Sequence, residues 1–78
     1  EHFHKADVIN TCLTEQGIKA AEAVIIGDTK FDMIGGQKTG VRRLGITWGF
    51  GSAESLQEYG AEIICHHPQD IKKALSSL

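Results

Sequence analysis

Three short strand-like segments recur along the chain, near residues 23–27, 42–47 and 62–65, and a stretch of helical character follows each one. Alternation of this kind builds an α/β fold, in which the strands lie parallel and the crossovers are right-handed. Ahead of the first strand, Asp7–Gln16 places Val8, Ile9, Cys12 and Leu13 on one helical stripe, with Cys12 expected in the core, and Gly17 ends that helix. Residues 23–27 are continuously apolar, which suits a strand covered on both faces. Phe31–Thr39 reads as the next helix, with Asp28 or Thr29 at its N-cap and Gly40 at its end. Leu44, Ile46 and Trp48 alternate at period two in the second strand. Ser52 can cap a helix over Ala53–Tyr59 that stops at Gly60, and Pro68 opens a last helix bearing Ile71, Ala74, Leu75 and Leu78.

The first strand runs straight into Gly27-Asp28-Thr29-Lys30-Phe31-Asp32. Two carboxylates four residues apart thus follow the carboxyl end of a strand, where open parallel sheets bind their ligands. A hard cation such as Mg²⁺ takes carboxylate oxygens together with water and substrate phosphate. Asp28 can project into the crevice there, and Asp32, one helical turn on, can return to the same side. Gly27 removes a Cβ where backbone must come close. The same pattern also allows a plainer role, with Asp28 as a helix cap and Asp32 as a first-turn acid complementing the helix dipole. Gly35-Gly36 inside the following helix costs about 1 kcal/mol per glycine relative to alanine. Close approach of that helix to the sheet or to a ligand loop would account for both.

Lys5 stands just before the first helix, where an ammonium group and free helix N–H groups can hold an anion. Gly49-x-Gly51 follows a strand, but Glu54 stands where a dinucleotide fingerprint needs its third glycine, so a loop leading into the Ser52 cap is the better reading. Cys65-His66-His67 and His2-x-His4 lack the paired spacing of structural zinc sites. Trp48 and Phe50 fit either the rim of a pocket or ordinary packing.

The 78 residues carry a formal charge of −2, which gives no electrostatic reason to expect nucleic acid or an anionic membrane as partner. No apolar stretch approaches the roughly 18–20 residues needed to cross a bilayer, and no signal peptide is expected among these residues. Two cysteines are too few for a disulfide framework, which favours a reducing cytoplasm. The chain opens at Glu1 without an initiator Met and reads as part of something longer.

His4-Lys5-Ala6-Asp7-Val8-Ile9, then Val24-Ile25-Ile26-Gly27-Asp28-Thr29-Lys30-Phe31-Asp32-Met33, resembles the haloacid dehalogenase superfamily of phosphatases, and most closely its phosphoglycolate-phosphatase-like branch. Leu44-Gly45-Ile46-Thr47-Trp48-Gly49-Phe50-Gly51-Ser52 and the Pro68 helix are similar to that branch too. The resemblance implies a three-layer, Rossmann-like α/β core with helices on both faces of a parallel sheet, of which residues 1–78 form the C-terminal part. It makes Lys5 the lysine that neutralises the nucleophilic aspartate and the phosphoryl group. Asp28 becomes the acidic Mg²⁺ ligand, Asp32 the second metal acid, direct or through water, and Gly27 and Thr29 neighbours of the phosphate. The activity implied is hydrolysis of a small phosphorylated metabolite through an aspartyl-phosphate, with Mg²⁺ and lysine carrying the charge of the transferring group.

No Asp-x-Asp occurs in the chain, so the family's nucleophile segment, its Ser/Thr phosphate-binding element and its cap domain all lie outside these residues. By itself the chain is therefore expected to be inactive. Its first strand, lacking the neighbour that carries the nucleophile, is expected to self-associate through its edge. The competing class is a non-enzymatic α/β module that binds or regulates on the same fold.

Overall fold

A computed structural model describes residues 5–78. His2 and His4, and with them the whole His-x-His pair of the zinc reading, lie outside the described residues. The elements are helix α1 (Lys5–Gln16), a 3₁₀ turn (Ala20–Glu22), strand β1 (Val24–Gly27), helix α2 (Lys30–Thr39), strand β2 (Arg42–Ile46), helix α3 (Ala53–Glu58), strand β3 (Ile63–Cys65), a second 3₁₀ turn (Pro68–Asp70) and helix α4 (Ile71–Ser77). The strands form one parallel sheet in the order β1-β2-β3, as the alternation of strand and helix requires. The expected boundaries shift by one to three residues, chiefly because Pro68 opens a 3₁₀ turn before α4 and because Trp48 lies beyond the end of β2.

Register explains how the layers form. Leu44 pairs with Ile63, Gly45 with Ile64, and Ile46 with Cys65, so alternate residues face opposite sides. Leu44, Cys65 and Ala74 make the buried cluster, with Ile46, Ile63 and Ile71 against it, which places α4 on that face. On the other face, a Cβ at Gly45 would stand 3.1 Å from Leu56 of α3, and one at Gly36 of α2 would stand 2.9 Å from Ile25. Helices therefore cover both sides of the sheet. Glycine at 45 lets α3 bed its Leu56, which is wholly buried, against β2.

Helix ends follow their local chemistry. Gly17 and Gly40 take the left-handed conformation after α1 and α2, at φ of 66° and 83°, where a side chain would be strained. The Gly40 N–H closes the last turn of α2 on Gly36 O. Ser52 caps α3, its hydroxyl accepting from the Ser55 N–H at 3.1 Å.

Two expectations need correcting. β1 is not covered on both faces: Val24 is 37% and Ile26 44% exposed. Ile25 faces α2, whereas the side of Val24 and Ile26 continues the α4 face, and α4 packs on β3 at the far side of the sheet. Cys12 is exposed rather than core. Helix α1 packs chiefly on α2, and its Ile9 and Leu13 are half-buried while Val8 and Cys12 face outward.

Candidate active site at the carboxyl end of β1

β1 ends in buried Gly27, and Asp28 and Thr29 carry the chain from it into α2. Thr29, not Asp28, is the N-cap. Its hydroxyl receives the Asp32 N–H at 3.4 Å and itself donates to Asp32 Oδ2 at 3.1 Å, while the Thr29 N–H reaches the same oxygen at 3.3 Å. This reciprocal capping box starts α2 and folds the Asp32 carboxylate back over the strand end. A Cβ at residue 27 would overlap the Asp32 side chain, standing 2.6 Å from its Cγ. Gly27 is thus the space into which Asp32 returns.

Lys5 opens α1, and its Nζ lies 3.0 Å from Asp32 Oδ1. The lysine side chain is 43% exposed and the aspartate 14%, so the pair sits at the rim of the site with the lysine the more exposed partner. The glycines of α2 explain how the lysine gets there. A Cβ at Gly35 would stand 2.6 Å from Lys5 Cγ and 3.2 Å from the Ala6 nitrogen, and one at Gly36 2.8 Å from Arg43 Cγ. Gly35 therefore admits α1 and Gly36 admits the sheet, so the two costly helical glycines are packing requirements.

Asp28 is half-buried and has a different set of partners. Its Oδ2 accepts the Phe50 N–H at 3.2 Å, and its carbonyl oxygen accepts the Gly51 N–H at 2.6 Å. Among the described residues its Oδ1 has no hydrogen-bond partner. The structure thus gathers Lys5, Gly27, Asp28, Thr29 and Asp32 at one end of β1. It adds the loop Gly49-Phe50-Gly51, which reading the sequence left as a plain loop. The usable signal was its position: a Gly-x-Gly just past the end of the strand paired with β1.

Among the described residues, two carboxylates with no third acid, cysteine or histidine close enough to join them make a poor all-protein cage. Mg²⁺ asks for less. It keeps several waters and binds through one or two carboxylates plus phosphate, and the uncommitted Asp28 Oδ1, beside an Asp32 whose two oxygens already face Lys5 and Thr29, fits that demand. Thr47 and His66, bonded at 3.0 Å through the hydroxyl and Nδ1, follow β2 and β3 at the same carboxyl end of the sheet.

Comparison with known proteins identifies the family. Residues 1–46 match the family model described as haloacid dehalogenase-like hydrolase. The chain superposes with a TM-score of 0.88 on a haloacid dehalogenase-like family hydrolase from Streptococcus pneumoniae, at 44% identity over 92% of this chain and 34% of the other. It superposes with a TM-score of 0.91 on a predicted phosphatase from Clostridium acetobutylicum, at 36% identity over 96% of this chain and 35% of the other. It is 30% identical to a 5′-nucleotidase of Pseudomonas aeruginosa over 95% of its length and 34% of that protein. The chain belongs to the haloacid dehalogenase-like hydrolase family. It spans about a third of the length of the relatives it matches. No described helix is long and apolar enough to cross a membrane.

Proposed function

We propose that these residues supply the cation and charge-neutralising half of a Mg²⁺-dependent phosphomonoester hydrolase of the phosphoglycolate-phosphatase-like branch, acting in the cytoplasm on a small phosphorylated metabolite. The observation that carries the reading is the convergence of Lys5, Asp28 and Asp32 at the carboxyl end of β1, with Lys5 Nζ 3.0 Å from Asp32 Oδ1. A bound Mg²⁺ would neutralise phosphoryl oxygens as charge develops on them. Asp28 would hold that cation directly through Oδ1, and Asp32, whose oxygens already face Lys5 and Thr29, would hold it through water. The ammonium of Lys5, at the end of a partly exposed side chain, would meet the phosphoryl group, with Asp32 fixing its position. Attack on phosphorus would come from an aspartate in an Asp-x-Asp-x-Thr segment outside these residues. It would give an aspartyl-phosphate that water cleaves.

Support also comes from the matched relatives, which carry the names phosphatase, 5′-nucleotidase and pyrophosphatase. The test is an aryl phosphate assay with Mg²⁺, using the purified chain alone and mixed with the nucleophile-bearing segment of a relative. No turnover alone and measurable turnover on mixing are expected. Turnover by the chain alone would overturn the aspartyl-phosphate route. Cation and phosphate binding without turnover in the mixture would favour the non-enzymatic module.

A further inference from the structure

The Gly49-Phe50-Gly51 loop has no place in the chemistry above, yet it supplies both of the hydrogen bonds that Asp28 makes among the described residues. The Phe50 N–H donates to Asp28 Oδ2 and the Gly51 N–H to the Asp28 carbonyl, across 22 and 23 residues of sequence. Neither glycine can be exchanged without disturbing the acid. A Cβ at Gly49 would overlap the Asp28 side chain, and one at Gly51 would stand 2.5 Å from the Asp28 carbonyl oxygen and 3.3 Å from Leu56. The Phe50 ring is 93% exposed, so what residue 50 brings to the site is its N–H.

The loop is anchored at both ends. On one side the Thr47 N–H bonds to Cys65 O at 3.1 Å. On the other, Ser52 caps α3, whose Leu56 is fully buried. Thr29 and Lys5 hold Asp32 but not Asp28. The two acids are therefore oriented by separate devices, one on α2 and α1 and the other on the β2–α3 loop.

We propose that Gly49-Phe50-Gly51 is the positioning element of Asp28. Its Phe50 N–H pins Oδ2, so that Oδ1 is the oxygen presented to a divalent cation, and cation affinity depends on the loop's backbone. This rests on the reading of Asp28 as the cation ligand. A backbone donor that fixes one carboxylate oxygen spares the ion the work of orienting the ligand, and losing such a partner commonly costs tenfold or more in metal affinity.

The experiment uses the chain with MnCl₂ as probe, read by paramagnetic relaxation, and amide NMR without metal. The Phe50 amide should be hydrogen-bonded and protected from exchange, and Asp28→Asn should shift and expose it. Gly49→Ala and Phe50→Pro, which displace the acid or delete the donor, should weaken Mn²⁺ binding by about tenfold or more. Phe50→Ala, which keeps the donor, should restore it. If Asp28→Asn abolishes binding while Phe50→Pro and Gly49→Ala bind as the unaltered chain does, the positioning role is refuted and the site reading stands. If the unaltered chain binds no Mn²⁺, or Asp28→Asn binds it equally, the site reading falls and the loop's role falls with it. Should Gly49→Ala not fold, the Phe50 amide and the Phe50→Pro and Phe50→Ala pair decide.

Discussion

Gly35 stands against Lys5, so closely that a Cβ on it would fall 2.6 Å from the lysine Cγ and 2.7 Å from its Cβ. A residue in the middle of α2 thereby sets whether the first residue of α1 can reach Asp32. Gly35→Ala should gain up to about 1 kcal/mol in helix propensity but lose about 1–3 kcal/mol by forcing the helices apart. Net destabilisation is expected in urea unfolding. In a protein completed with the nucleophile segment, turnover should fall as it does in Lys5→Ala. Lys5→Arg should not rescue it, since the planar fork differs in reach from the ammonium. Near-normal kinetics for Lys5→Ala would return Lys5 to ordinary solvated surface.

Much of this arrangement could be read from residues, and the misses have physical causes. Strand–helix alternation gave the parallel sheet because period and length differ sharply between elements. The placement of Gly27, Asp28 and Asp32 at the end of β1 was legible because they follow the apolar run directly in sequence. The glycine pair of α2 signalled close packing but not its targets, since contact with Lys5 and Arg43 is set by tertiary approach. The exposure of Val24, Ile26 and Cys12 was not legible: an apolar run looks the same whether or not a second layer covers it. The bond from Phe50 to Asp28 joins backbone to side chain across 22 residues, and no local pattern encodes that.

Glu62 gives a pH-dependent contribution to stability. The Arg43 N–H at 3.0 Å, and then the Arg42 guanidinium at 3.1 Å, hold its carboxyl below the ordinary range, against the opposing effect of burial. A depressed carboxylate adds stability above its unfolded value of about 4.3, and that stability fades as pH falls through the lower folded value. Thermal unfolding should show the unaltered chain ahead of Glu62→Gln near neutral pH and the gap closing in acid. Because Glu62 is exposed, the gap should also shrink in high salt. A gap that is constant with pH would contradict the assignment.

The two cysteines should separate under a thiol reagent. Burial, and then the nearby charge of Asp70, push the Cys65 thiol up, which keeps it protonated and shielded. Cys12 lies exposed in a shallow depression with Asp7, Val8, Thr11 and Glu15. Iodoacetamide under native conditions should label Cys12 and leave Cys65 until the chain is unfolded. Equal labelling rates would mean that β3 does not pack beneath α4.

β1 is an edge strand with half-exposed Val24 and Ile26 on one side. Open edges of this kind pair with other strands unless charge or covering blocks them. Sedimentation of the chain over a concentration series should show self-association, and Ile26→Lys should reduce it. A stable monomer at every concentration would remove the edge as an association surface.

The account turns on Asp28 as the cation's ligand. Its most direct test is the Mg²⁺ dependence of phosphomonoester turnover in a protein that joins these residues to the nucleophile segment, compared for the unaltered sequence, Asp28→Asn and Asp32→Asn. Asp28→Asn should abolish metal-dependent turnover, and Asp32→Asn should weaken it while raising the Mg²⁺ concentration needed. Turnover by Asp28→Asn equal to that of the unaltered protein at limiting Mg²⁺ would contradict the assignment of the site.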